Sequence, residues 1–396
     1  MYSTLTMALP RPIIMLKVNL MTMLKQCRTF SSLGSYVVDL RSDTLTKPTP
    51  QMREAMKNAV VGDDVFGEDP TVNKFQEMCA SVLGKEEALL MPTCTMANTS
   101  SVLVHCSGRF SEVILGEDSH IHKYEVAALA QLAGIQGKCV PNLPDGSMDI
   151  QDIEACIRPI DDVHQPWTKV ICLENTHNRC GGKVLSLDYI KQVKDLAQQH
   201  SLLLHLDGAR LFNAATALNI PVSDICKNAD SVSVAFSKGL CCPLGSAVAG
   251  SKDFIAMARR ARKALGGGMR QAGVIAAPMI VALETMVDRL SEDHSRAYRL
   301  AQGIEEMAGN PICNVDLKGV QSNIVMINLL GKVTPVQFSE RLKMVTEEER
   351  KSLKQGISVL MLPFSRTQVR YVTHNDVKDE DIERAIKKLQ YVIETL

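Results

Sequence analysis

Two charged residues, each at the end of a β-rich run and each followed by glycine, stand out in this 396-residue chain. Leu202-Leu203-Leu204-His205-Leu206 leads into Asp207-Gly208-Ala209-Arg210. Ser231-Val232-Ser233-Val234-Ala235-Phe236 leads into Ser237-Lys238-Gly239. A parallel sheet delivers side chains in this way to the crevice at the carboxyl ends of its strands. A carboxylate and a lysine so presented suit pyridoxal phosphate (PLP). The lysine amine bonds the cofactor's aldehyde carbon, and the carboxylate keeps the pyridine nitrogen protonated so that the ring accepts electrons. A surface ion pair between two strand ends would explain either residue alone. The pair, taken with the motifs below, favours the cofactor.

Those motifs supply the rest of a site. Thr93-Cys94-Thr95-Met96-Ala97-Asn98 follows an apolar strand and opens a helix, where unpaired amides and hydroxyls can receive a phosphate or simply cap the helix. In Gly266-Gly267-Gly268-Met269-Arg270 the glycines permit close backbone approach and Arg270 supplies charge; a flexible surface turn is the plain alternative. Arg370 sits inside the apolar strand Val369–Thr373, where an unpaired charge is costly, so it needs a partner or a crevice. A substrate carboxylate and a structural Asp or Glu are equally good partners on this ground. Arg41-Ser42-Asp43-Thr44 is polar yet follows an apolar run. His120, directly after a strand, can stack on a flat ring or rest against a backbone carbonyl. His164 belongs to a polar loop, where most histidines face solvent. Glu174-Asn175-Thr176-His177-Asn178 places five polar residues at a strand's carboxyl end, which suggests lining of the same crevice.

The elements that must position these groups alternate. Strands are expected at Ala88–Met91, Glu112–Leu115, Lys169–Leu173, Leu202–Leu206, Ser231–Phe236 and Ser246–Gly250. Helices are expected at Pro50–Ala59, Val72–Leu83, Thr95–His105, Gln151–Ile157 and Leu187–His200. This rhythm predicts an α/β fold with a mostly parallel, doubly covered sheet. After Ala272 a long helical stretch runs to about Met307. Strands at Asn323–Leu329, Ser358–Leu362 and Val369–Thr373, a helix at Pro335–Met344 and a last helix beyond Asp376 follow. The expected division is a leader over 1–36, a large cofactor-binding domain over 37–273 and a smaller α/β domain over 274–396.

Charge balances at 44 basic and 44 acidic residues with no basic block in the body, so nucleic acid is not an expected partner. No apolar run is long enough for a membrane span. The 12 cysteines form no C-x-x-C pair and read as reduced thiols. The first 38 residues contain no Asp or Glu but carry Arg11, Lys17, Lys25 and Arg28, a composition that fits a mitochondrial transit peptide with cleavage after Phe30. An untargeted extension is the alternative, leaving the enzyme cytosolic.

Several phrases together resemble the threonine aldolases, PLP-dependent lyases of the aspartate aminotransferase fold (fold type I). They are Asp39–Thr44, Val61–Val65, Gly67–Val72, Thr95–Asn98, Glu174–Asn178, His205–Asn213, Ser237–Leu240, Gly266–Gly273 and Val369–His374. The resemblance runs from Val38 to the C-terminus. It implies that Lys238 carries PLP, Asp207 pairs with the pyridine nitrogen and His120 stacks on the ring. Thr95 and Arg270 would hold the phosphate, with Cys94 and Arg210 also bordering the cofactor. Ser42, Arg210 and Arg370 would hold the substrate carboxylate, and His120 and His164 would flank its β-hydroxyl. The implied reaction is cleavage of L-threonine or L-allo-threonine to glycine and acetaldehyde in a homodimer or homotetramer. Transamination, β-elimination and cofactor binding with reduced catalysis are the alternatives. Cys94 and Cys241-Cys242 stand where many relatives have glycine and Gly-Ala, and cysteine resists the positive φ that glycine accepts.

Overall fold

The computed structural model describes residues 35–307 and 310–396. The expected leader lies almost wholly outside the described residues. Its last two positions, Ser35 and Tyr36, are the exception, because they begin the first strand.

Thirteen strands are described: β1 Ser35–Asp39, β2 Glu87–Met91, β3 Ser111–Gly116, β4 Gln136–Val140, β5 Trp167–Glu174, β6 Leu203–Gly208, β7 Ser231–Ala235, β8 Ser246–Gly250, β9 Cys313–Asn314, β10 Ile324–Leu329, β11 Gly356–Leu360, β12 Leu362–Pro363 and β13 Gln368–Val372. Seven of them form the central sheet in the order β2-β8-β7-β6-β5-β3-β4. β8 is antiparallel to both neighbours, and the pairings from β7 through β4 are parallel. The mostly parallel α/β sheet expected from the alternating pattern is therefore present. β4 escapes the pattern because Gln136-Gly137-Lys138-Cys139-Val140 is an edge strand in which only Val140 is buried. Edge strands need no continuous apolar run, since one side of their ladder faces water.

Register brings the site's charges to one end of this sheet. Glu174 lies beside Asp207, and Asp207 beside Ser233, on three successive parallel strands. The approach of β6 to β7 is close enough that a Cβ on Gly208 would sit 2.6 Å from the Ser233 carbonyl oxygen. Glycine is required there to let the strand turn away directly after Asp207. Phe236, fully buried at the end of β7, packs edge-on against Phe75 with centroids 5.3 Å apart and so anchors the start of the Lys238 turn.

The stretch after Ala272 is two helices, Gly273–Thr285 and Leu290–Glu305, and not one. The first is apolar on every side and joins the core of the central sheet, which extends from Met52 to Leu290. A second core gathers Val38 and Leu40 with residues from Ala297 to Ile393. The two cores thus part the chain differently from a cut at 273/274. Parallel pairing of β1 with β11, Val38 opposite Val359, draws the start of the folded chain into the C-terminal unit. Among the described residues no helix is long and apolar enough to cross a membrane.

Candidate active site

Asp207 is almost completely buried at the end of β6. One carboxylate oxygen accepts from the Asn98 amide nitrogen at 2.9 Å and the other from the Ala209 N–H at 3.1 Å. Burial first, and then the neighbouring Glu174 charge, pushes its pKa up to about 6, against the opposing pull of His120 and Lys238. A carboxylate held in this way gains strongly from a cationic partner. Lys238 follows β7 in a half-buried turn whose carbonyl accepts from Thr46 Oγ1 and from the Cys241 N–H, both at 2.8 Å. Its ammonium lies close enough to favour the ionised forms of both Asp207 and Asp43.

His120 opens a one-turn helix capped by Ser119. Its N–H donates to Glu174 Oε2 at 2.6 Å, and its Nδ1 lies 3.0 Å from Glu125 Oε1. Burial opposes a charge on the imidazole. The Glu125 hydrogen bond and the charges of Asp207, Glu125 and Glu174 outweigh it, and the pKa is raised. Glu174 also accepts from the Asn178 N–H at 2.8 Å, and Asn178 Oδ1 accepts from Arg370 at 2.6 Å. One carboxylate therefore ties the histidine to the arginine.

The arginines divide their roles. Arg210 makes a buried two-pronged pair with Asp43 at 2.7 and 2.8 Å, and Asn323 donates to the same carboxylate at 3.2 Å. Burial would raise Asp43, but the Arg210 guanidinium holds it well below the usual carboxylate range. Arg370 is equally buried, yet its hydrogen bonds go to Asn178 Oδ1 and the Arg41 carbonyl, and its Nε has no hydrogen-bond partner among the described residues. Burial and the nearby Arg210 charge lower its pKa to about 10. Among the described residues no Asp or Glu pairs with it, and the nearby Asp43 is spent on Arg210. Ser42, next to Asp43, caps the short turn that follows, with its Oγ accepting from the Thr44 N–H and hydroxyl.

At the other side stands the N-terminus of helix Cys94–His105, with Thr93 as its N-cap and Thr95 exposed. Cys94 is the first helical residue and is absent from the positive-φ positions; the strained residue is Cys241, at φ 64°. Burial, then the Asp207 charge, pushes the Cys94 thiol up to about 12, so it is a neutral neighbour. The glycine turn packs against this helix, since a Cβ on Gly267 would meet the Met96 sulfur at 2.3 Å. Arg270, beyond that turn, is largely exposed and paired with Asp63 at 3.0 Å.

The structure thus brings Lys238, Asp207, His120, Cys94, Arg210 and Arg370 into one electrostatic cluster, with Ser42 beside its Asp43; Thr95 follows Cys94 on the same helix, and Arg270 follows the glycine turn that packs against that helix. It does not bring His164 there. That imidazole is exposed, bonds Asp162 of its own loop at 3.1 Å, and precedes Trp167 at the opposite end of β5 from Glu174. A strand of that length spans roughly 25 Å.

PLP fits the residues present. A buried carboxylate with no ion pair among the described residues, a neighbouring lysine, a helix N-terminus for an anion and an imidazole close to the carboxylate correspond to the parts of that cofactor.

Comparison with known proteins bears on the same chemistry. The Beta-eliminating lyase family model matches residues 39–329. Low-specificity L-threonine aldolase 1 of Arabidopsis thaliana is 43% identical over 360 residues, 91% of this chain and 97% of the plant protein. The Low specificity L-threonine aldolase of Escherichia coli K12 is 39% identical over 346 residues, covering 87% and 96% of the two chains. The chain belongs to the threonine aldolase family. A solved threonine aldolase from Leishmania major superposes with a TM-score of 0.72 at 18% identity over 90% of this chain and 99% of that one, in keeping with the fold.

Against that family frame, Asn98, Glu125, Asp43 and Asn323 are partners that motif reading did not single out. Asn98 and Asp43 lie inside quoted phrases and could have been found. Glu125 and Asn323 reach the site through a short turn and a distant strand, and nothing local marks them.

Proposed function

We propose that this chain is a PLP-dependent lyase that cleaves L-threonine and L-allo-threonine to glycine and acetaldehyde. The observation that carries the reading is Arg370, a buried guanidinium without a carboxylate partner among the described residues, beside the Arg210–Asp43 pair of the cluster that holds Asp207, Lys238 and His120. An amino acid's carboxylate would complete it.

Lys238 would hold PLP covalently and Asp207 would face its ring nitrogen, with His120 over the ring and Thr95 and Arg270 at the phosphate. PLP supplies, when bound, the sink for the electron pair released from the Cα–Cβ bond. Arg370 and Arg210, with Ser42, would grip the substrate carboxylate and so fix the torsion about Cα that selects which bond is broken. His120 Nε2 takes the proton of the β-hydroxyl, and Glu125 at Nδ1 stabilises the imidazolium that forms. Incubation with both threonine diastereomers, with acetaldehyde measured against ketoacid, tests the reading. Ketoacid as the main product would favour β-elimination, the reaction named by the family model.

Three further parts belong to this proposal. The acid-free leader supports delivery to mitochondria, where the enzyme would supply glycine. Exposed Arg270 and Thr95 support a homo-oligomer in which a neighbouring subunit shares the crevice. His164, remote from its own chain's cluster, would act on the β-hydroxyl only from such a neighbour.

A further inference from the structure

Behind Asp207 a run of buried polar groups leads away from the crevice. Asn98 Nδ2 donates to Asp207 Oδ2 and to Glu125 Oε1, both at 2.9 Å. Ionised carboxylates only accept, so both amide protons are committed and the orientation of the amide is forced. Its Oδ1 must then accept from the two groups that reach it, Ser233 Oγ at 2.6 Å and His205 Nε2 at 3.2 Å. His205 therefore carries its proton on Nε2, and burial keeps the ring neutral, with its pKa lowered to about 3. A bare Nδ1 can only accept, so Ser231 Oγ donates to it at 2.8 Å. The same oxygen then accepts from His105 Nε2 at 2.6 Å. His105 is itself kept in place by Phe254, stacked on its ring with centroids 4.9 Å apart and planes 19° apart. Starting at the carboxylate, the Asn98 amide sets the donor direction at His205 Nε2 and so at Ser231 and His105, against the competing pull of the Ser231 backbone carbonyl on the His205 ring.

We infer that His205, Ser231 and His105 form a fixed-tautomer chain that locks the Asn98 amide onto Asp207 and so positions that carboxylate for the cofactor. These are positioning residues; none of them touches the substrate. The inference rests on the reading of Asp207 as the PLP partner. Its physical basis is that a flipped Asn98 would aim Oδ1 at two carboxylates, and His205 with Ser233 makes that flip unfavourable. Of the two histidine nitrogens, the donor that matters is Nε2. A glutamine places its amide nitrogen near that position, whereas leucine fills the volume without a donor.

The experiment has two readouts besides turnover. Nitrogen-15 NMR of the histidine-labelled, cofactor-free protein at neutral pH, assigned through the His205 and His105 variants, reads the tautomers directly. Both rings are expected to be neutral and protonated at Nε2. An Nδ1-protonated His205 would overturn the chain. Titration of PLP into the cofactor-free variants gives the second readout. His205→Leu should weaken PLP binding by about fivefold to tenfold, the worth of one buried neutral hydrogen bond. His205→Gln should return it to within about twofold of wild type. Equal affinities for the leucine and glutamine variants, whether high or low, would reduce His205 to core filling. A wild-type protein that binds PLP but releases no acetaldehyde would sink the proposed reaction and leave this chain standing.

Discussion

At the scale of single residues, the site works by leaving two charges incomplete. Among the described residues neither Asp207 nor Arg370 makes an ion pair; Asp207 feels His120 and Lys238 without direct pairing, and burial of both groups makes that deficit costly. Asp207→Asn should leave Lys238 able to bind PLP covalently, as read by absorbance, while turnover falls by two orders of magnitude or more, because the ring nitrogen loses the partner that keeps it protonated. Survival of wild-type turnover would make Asp207 structural. Arg370→Lys keeps a charge but loses the planar fork, and a charge-assisted hydrogen bond is worth about 1.5–3 kcal/mol. KM for threonine should therefore rise about tenfold to a hundredfold with PLP absorbance unchanged. A KM at the wild-type value would remove Arg370 from the carboxylate clamp.

At the scale of elements, the turn after β7 decides where Lys238 points. Cys241 donates its N–H to the Lys238 carbonyl from a left-handed conformation at φ 64°. Cysteine tolerates this, but a β-branched side chain does so poorly. Cys241→Val, which adds a β-branch and about a methyl group of volume at this buried position, should cost on the order of 1–2 kcal/mol and loosen PLP retention; the urea midpoint and the cofactor content after dialysis check both. An unchanged midpoint would mean that the turn accommodates the branch. Three β-strands ending side by side also explain the acid cluster. Glu174 and Asp207 are register partners, and Glu125 joins them through the His120 helix. Asp207 binds its proton more tightly in the folded chain than the ordinary value of 3.8, at about 6. The cofactor-free protein should accordingly lose stability as pH rises from about 4 to about 6, since over that window the folded form holds more proton than the unfolded. A bound cofactor cation opposite Asp207 offsets that loss. The Tm difference between loaded and cofactor-free protein should widen from pH 5 to pH 7, and a difference that narrows would contradict this electrostatic account.

At the scale of the whole molecule, the crevice lies where the two cores meet. β1, Asp43 and Arg370 come from one side, and Asp207, Lys238 and His120 from the other. Within one chain His164 sits at the far end of the sheet. If a neighbouring subunit presents it to the β-hydroxyl, His164→Ala should spare PLP binding and shift the threonine to allo-threonine activity ratio by a few-fold to about tenfold. An unchanged ratio leaves His164 an exposed loop residue. Fusion of residues 1–36 to a reporter, followed by imaging and N-terminal mapping, checks delivery to mitochondria; diffuse uncleaved fusion would exclude it.

The amino-acid sequence by itself determined the strand ends and what they carry. Alternation of apolar runs with glycine turns is local, so Asp207, Lys238, Arg370 and the helix N-terminus at Cys94 were readable as residues in particular settings, and the parallel sheet followed from their rhythm. Which charge neutralises which was not readable. The resemblance assigns Arg210 and Arg370 alike to a substrate carboxylate, and only the fold gives Asp43 to the first and, among the described residues, no carboxylate to the second. Asn98 became a hydrogen-bonded bridge between Asp207 and Ser233 because β6, β7 and helix Cys94–His105 pack together across more than 100 residues of chain. Ion pairing and hydrogen bonding act over a few ångströms whatever the separation along the backbone, so the partners of a buried charge are set by tertiary packing.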